Sequence, residues 1–102
     1  MVIYKHTLDY DNKIKTTPLE AEEKPKTYIL VNDRGWKTRI LKTDIDKTLG
    51  RYDKYMYTLT PDNTPFIKEI IEITERNIES LKNRLENAVA KKTTLLKLLE
   101  KQ

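Results

Sequence analysis

The stretch "YMYTLTPDNTPFIKEIIEI" (residues 55–73) carries two different hydrophobic periods on either side of a turn. Upstream the step is two. Tyr55, Tyr57 and Leu59 share one side, while Tyr52, Lys54, Met56 and Thr58 share the other, the signature of a strand. Downstream of "TPDNTP" the apolar residues recur every three or four positions. Thr64 and Pro65 supply the preferred N-cap and first helical residue. No Gly or Pro follows from Phe66 to Glu100, so one helix is expected over that whole stretch. At ~1.5 Å per residue it would run ~54 Å, longer than a small sheet is wide.

The helix has a heptad seam. Ile71, Ile78, Leu85, Lys92 and Leu99 fall at a positions, and Ile67, Thr74, Leu81, Ala88 and Leu95 at d positions. Phe66, Ile70 and Ile73 widen the stripe near its start, and Val89, Leu96 and Leu98 near its finish. Broad ends and a narrow middle imply two tasks: the first turns cover a sheet, and the remainder overhangs and meets a second copy of itself. Ile71, Ile78, Leu81, Leu85, Ala88, Leu95 and Leu99 are therefore the candidate oligomerisation residues. Glu69, Glu72, Glu75 and Glu79 crowd the first half, and Lys91, Lys92, Lys97 and Lys101 the end. Both biases suit the helix dipole, and they favour an antiparallel pair.

Working back toward the N-terminus, "VIYKHTLDY" (2–10) alternates, with Val2, Tyr4, His6, Leu8 and Tyr10 on one side. "DYDNK" (9–13) has turn chemistry, "KIKTT" (13–17) reads as a return strand, and "PLEAEEKP" (18–25) as a polar connection. "KTYILV" (26–31) is apolar on both sides, with Tyr28 and Leu30 against Ile29 and Val31, and reads as a central strand covered on both faces. "NDRG" (32–35) is a turn. In "WKTRILK" (36–42), Trp36, Thr38 and Ile40 lie opposite Lys37, Arg39 and Leu41. "TDIDKTLG" (43–50) reads as a short helical turn ended by Gly50. The fold expected is α+β: an N-terminal antiparallel β-meander or small partly open barrel of four to five strands over 1–60, then one long helix within 61–102.

Length and composition limit what such a chain can do. Its 102 residues make one domain, or one small domain with an appendage, without cysteine, and with 20 basic and 16 acidic residues for a net charge of +4. No stretch is apolar enough for a signal peptide or a membrane span, so a cytoplasmic protein that does not insert in membranes is expected. Nucleophilic catalysis has one serine (Ser80) and one histidine (His6) to draw on. His6, on an alternating strand, reads as a structural or surface residue rather than a base. "DYDN" lacks the glycine and closing glutamate of a calcium loop, and two glycines make no phosphate cradle. A non-enzymatic protein with no cofactor and no metal is expected.

Binding is left. Arg34, Trp36, Lys37, Arg39, Lys42, Arg51, Tyr52 and Lys54 are the candidate contact residues, because Trp, Tyr and Arg dominate interface energetics. Tyr55 and Tyr57 share a face with Leu59 and read as core; Tyr52 and Trp36 read as exposed. A protein partner is the first reading. The alternatives are nucleic acid, held on a basic-aromatic strand face with Lys5 beside Lys37 and Arg39 if their strands pair, and a small ligand sequestered between protomers. The order "KTYILVNDRGWKTRILKTDIDK" (26–47), "YMYTL" (55–59) and a Lys/Glu-rich terminal helix resembles small accessory proteins of phages and mobile elements in low-GC Gram-positive bacteria. Many small phage accessory proteins bind and redirect a host protein, so the resemblance implies protein binding and carries over no site residues.

Overall fold

The computed structural model describes residues 1–32 and 34–102. Among these residues six strands, β1 (Val2–Leu8), β2 (Ile14–Glu23), β3 (Thr27–Val31), β4 (Lys37–Leu41), β5 (Thr48–Leu49) and β6 (Tyr55–Thr58), precede one α-helix, α1 (Thr64–Glu100). The strands pair antiparallel in the order β4-β3-β2-β1-β6-β5. They form a curled, half-barrel sheet. The chain divides into a compact unit, Met1–Ile70, and a helical unit, Ile71–Gln102. The expected α+β architecture, meander first and long helix last, is the one observed.

Pairing register explains which residues become core. Ile3 opposes Leu19, Lys5 opposes Tyr57, Ala21 opposes Leu30 and Tyr28 opposes Ile40. All lie on one face, where Ile3, Tyr28, Leu30, Ile40 and Tyr57 are buried together with Leu19, Ala21, Ile45, Leu49 and Tyr55 packed against them. The curl lets this face cover itself. On the other face His6 opposes Met56, and both are fully buried. Phe66, in the first turn of α1, stacks on the His6 ring with centroids 6.2 Å apart. It is the helix's only fully buried side chain, and its removal from water is worth up to about 3 kcal/mol.

Five local expectations are corrected. "PLEAEEKP" is not a connection, because β2 runs through Pro18 to Glu23. Met1 and Ala21 exchange backbone bonds, so odd residues of β2 bond β1 and even ones point away. Pro18 thus turns its missing N–H toward β3, which pairs only from Glu20 onward, and no ladder bond is lost. β3 is covered on one face only: Tyr28 and Leu30 are buried, Ile29 is half-buried and Val31 exposed. Leu59 falls beyond the end of β6 and is exposed rather than core. Tyr10 belongs to a turn, where the Asp9 carboxylate accepts from the Asp11 and Lys13 amides at 2.9 Å and Asn12 takes φ 60°. Finally, Ile67 N–H donates to Asn63 C=O at 3.0 Å, so α1 starts one residue before the expected cap. The Asp62 carboxylate accepts from both the amide (3.0 Å) and the hydroxyl (2.8 Å) of Thr64.

The 43–50 segment is shorter in helix than expected. A single 3-10 turn, Lys42–Asp44, leads into β5. Gly50 then takes φ 90°, where a Cβ would run into the Asp53 carbonyl oxygen. Of the "NDRG" turn, Asp33 lies outside the described residues; Gly35 has φ 78°, as a turn glycine must.

Candidate binding surface

The sheet order places the candidate contact residues at two opposite edges. Arg34, Trp36, Lys37, Arg39 and Lys42 belong to β4 or its flanks, whereas Arg51, Tyr52 and Lys54 lie in the turn between β5 and β6. In the strand order, β3, β2, β1 and β6 lie between the two edge strands. Lys5 is separated from Arg39 as well: it points into the inner face, its ammonium 5.0 Å from the Tyr55 ring centroid and 6.0 Å from that of Tyr57. Lys37 and Arg39, out of phase with buried Ile40, point to the outer face. The basic platform expected from β1 and β4 together is therefore not assembled.

β4 is an edge strand, and its hydrogen-bond phase is fixed by its ends. Asn32 N–H donates to Trp36 C=O and Lys42 N–H donates to Lys26 C=O, each at 3.0 Å. Even residues of β4 consequently bond β3. The amides and carbonyls of Lys37, Arg39 and Leu41 point away from the sheet, as an edge strand's alternate groups must. Trp36 opens the strand with 71% of its surface exposed. Its position is set by the turn before it, where the Asn32 side-chain oxygen accepts from the Arg34 and Trp36 amides at 2.9 Å. This edge thus combines an exposed indole, two basic side chains, exposed Leu41 and an open row of backbone groups.

Lys42 differs from its neighbours. Its ammonium meets Glu23 at 2.8 Å and lies 5.2 Å from the Tyr28 ring centroid. Those partners hold it, and the Glu23 carboxyl is pushed below its ordinary pKa by the same hydrogen bond and charge. Lys54 is similarly committed, donating to Gly50 C=O at 2.7 Å. Neighbouring Glu22 is also held low, chiefly by Lys24 and to a lesser degree by Lys37.

At the opposite edge an open cleft of about 510 Å³ is lined by Thr7, Asp9, Tyr10, Tyr52, Asp53 and Lys54, among others. Tyr52 is 85% exposed and Tyr10 is 99% exposed. The Arg51 guanidinium lies 5.6 Å from the Tyr52 ring centroid. Tyr10 was not among the candidates. The signal that finds it is the turn chemistry of Asp9 and Asn12, which lifts it out of the strand's alternation.

His6 is placed structurally. Its Nε2 lies 2.7 Å from the Thr58 hydroxyl and its Nδ1 2.8 Å from that of Thr16. The Thr58 hydroxyl donates to Thr60 C=O at 2.6 Å, so its oxygen must accept from Nε2–H. Nδ1 then carries the lone pair and accepts from Thr16. One neutral tautomer satisfies every group. Burial pushes the imidazole below its ordinary pKa of 6.5, and the Asp62 charge opposes this in part.

Along α1 the candidate oligomerisation residues are uncovered. Ile71, Ile78, Leu81, Leu85, Leu95 and Leu99 are about half to two-thirds exposed, and Ala88 is exposed too. Ala88, Leu95, Leu96 and Leu99 line a shallow groove of about 350 Å³ with Lys91 and Lys92. Among the described residues, no helix is long and apolar enough to cross a membrane. Compared with family models, curated proteins and solved structures, the chain matches none.

Proposed function

We infer that this is a non-enzymatic binding protein that engages a protein partner along the β4 edge and associates with a second copy of itself through α1. The observation that carries the first half is the edge itself. Lys37, Arg39 and Leu41 present outward amides and carbonyls, beside an exposed Trp36. An extended segment added there would gain main-chain hydrogen bonds, while Trp36 and Arg39 supply the side-chain types that anchor interfaces. Lysine and arginine on an edge also discourage indiscriminate strand pairing, which favours an acidic partner segment. A nucleic-acid reading has less support. The basic residues are split between two edges, Lys5 faces inward, and Lys42 and Lys54 are bonded internally. Two sheets carried on one oligomer would gain avidity without new contacts. A partner in a bacterial host would suit the resemblance to phage accessory proteins.

The test is affinity capture with and without nuclease, using the native chain and Arg39→Pro. The Arg39 amide points outward, so proline removes an edge donor and leaves the β3 ladder in place. A nuclease-indifferent protein retained by the native chain and lost by Arg39→Pro supports the reading. Equal retention by both, or retention that disappears with nuclease, sinks it. Leu85→Asp tests self-association: the mass in solution should fall to that of one chain.

A further inference from the structure

The α1 seam contains two polar residues, Thr74 at a d position and Lys92 at an a position. Where they fall depends on how two helices meet. In a parallel pair each residue faces its own copy, so Lys92 would face Lys92 inside the seam. The flanking positions do not compensate. The parallel g-to-e contacts are Ile70 with Glu75, Asn77 with Lys82, Arg84 with Val89 and Lys91 with Leu96, none of them an opposite-charge pair.

An antiparallel pair instead sets a positions against d positions, and successive registers differ by seven residues. In one register Ile71 meets Leu95 of the second copy, Ile78 meets Ala88, and Leu81 meets Leu85. Thr74 then meets Lys92. The two polar residues share a layer and every other layer in this span is apolar. Sliding the pair by one heptad in one direction places Lys92 on Leu81; sliding it the other way places Leu85 on Thr74. Each costs an apolar contact or leaves an ammonium against a leucine. Polar layers of this kind fix register in helix pairs, and the two-fold axis gives this pair two of them.

Charge supports the same register. Residues 72–79 carry Glu72, Glu75, Arg76 and Glu79, a net −2, and residues 87–94 carry Lys91 and Lys92, a net +2. The register lays these two segments against each other. Its unfavourable point is the two-fold centre, where Lys82 and Arg84 approach their own copies. Long, solvent-exposed side chains at the rim of a pair repel weakly.

We propose that α1 forms an antiparallel two-stranded pair with a second copy of the chain, centred near Asn83 and locked in register by the Thr74–Lys92 layers. This rests on the self-association reading and adds its geometry. The groove lined by Ala88, Lys92, Leu95 and Leu99 is then the site taken by Ile71 and Ile78 of the other copy.

The native chain has no cysteine, so single thiols report pairing without background. Two full-length variants, Ile78→Cys and Ala88→Cys, are oxidised separately and then as a mixture refolded together, with mass in solution measured alongside. The proposal expects twice the 12.1 kDa of one chain, a strong cross-linked dimer in the mixture, and none in either variant alone. A mass of 12.1 kDa for the native chain overturns self-association and the geometry together. A dimer in which each variant cross-links to itself overturns only the antiparallel geometry. A dimer with no cross-link in any tube overturns the register.

Discussion

Replacing Thr58 by valine should destabilise the β-sheet unit by an amount the His6 site sets. Thr58 is 2% exposed and valine matches its shape, so the change is chemical and leaves no cavity. What is lost is the acceptor for His6 Nε2–H at 2.7 Å and the donor to Thr60 C=O at 2.6 Å. Thr60 is exposed, and water replaces that donor. The imidazole N–H is fully buried and finds no substitute. Shifting the proton to Nδ1 only exchanges an unpaired donor for an unpaired acceptor. The cost is about 1–3 kcal/mol, or a Tm lower by roughly 5–15 °C for a chain of this size. Thr16→Val should cost less, because its bond to His6 Nδ1 is only part-buried, whereas that of Thr58 to Nε2 is buried. Urea unfolding at pH 7.5, at one fixed protein concentration, gives the ranking. Unchanged stability in Thr58→Val, or a greater loss in Thr16→Val, would refute the buried hydrogen-bond network assigned to His6.

The same site sets a pH dependence. The folded His6 pKa is lowered below 6.5, so the unfolded chain takes its proton first as pH falls. Stability should be complete above about 6.5 and decline as pH falls through the folded value, with a positive slope against pH. The lowered carboxyls of Glu22, Glu23 and Asp62 contribute only below about pH 4.5, leaving roughly 5 to 6.5 to His6. His6→Gln should flatten stability across that window; an unchanged slope would assign it to other groups. Gly50→Ala should lose more than 2 kcal/mol by the same assay, because its methyl meets the Asp53 carbonyl at a φ that L-residues avoid; a near-neutral result would show that the turn relaxes. Thr48→Val should be neutral or stabilising by about 1 kcal/mol, since the Thr48 hydroxyl is buried with no hydrogen-bond partner among the described residues. A loss of that size would reveal a partner.

Local pattern was enough for the architecture because each half keeps one period. Alternation paired Tyr28 with Leu30 and Trp36 with Ile40 and made Tyr57 core, although it took β3 to be covered on both faces, and the Gly- and Pro-free run from Phe66 to Glu100 gave a single helix. It was also enough for the exposure of Trp36 and Tyr52, which sit in turns whose residues are local in sequence. Polar composition misled at "PLEAEEKP". A strand that pairs with different neighbours along its two halves tolerates proline and glutamate wherever its outward side is open.

Alternation could not say which candidate residues would meet. Lys5, Arg39 and Tyr52 each looked like part of a basic-aromatic face. That depended on strand order, and strand order is a matter of long-range pairing. β1 sits between β2 and β6, β4 at one edge and β5 at the other. The role of His6 was decided in the same way. Its sequence neighbours imply an ordinary strand position, but Thr16, Thr58 and Phe66 come to it from three other elements. The sequence by itself determined the periods, and through them the elements and the heptad seam, because these depend on residues a few positions apart. Only the tertiary structure decided which edge stayed open and which histidine nitrogen carried the proton, because both depend on groups that folding alone brings together.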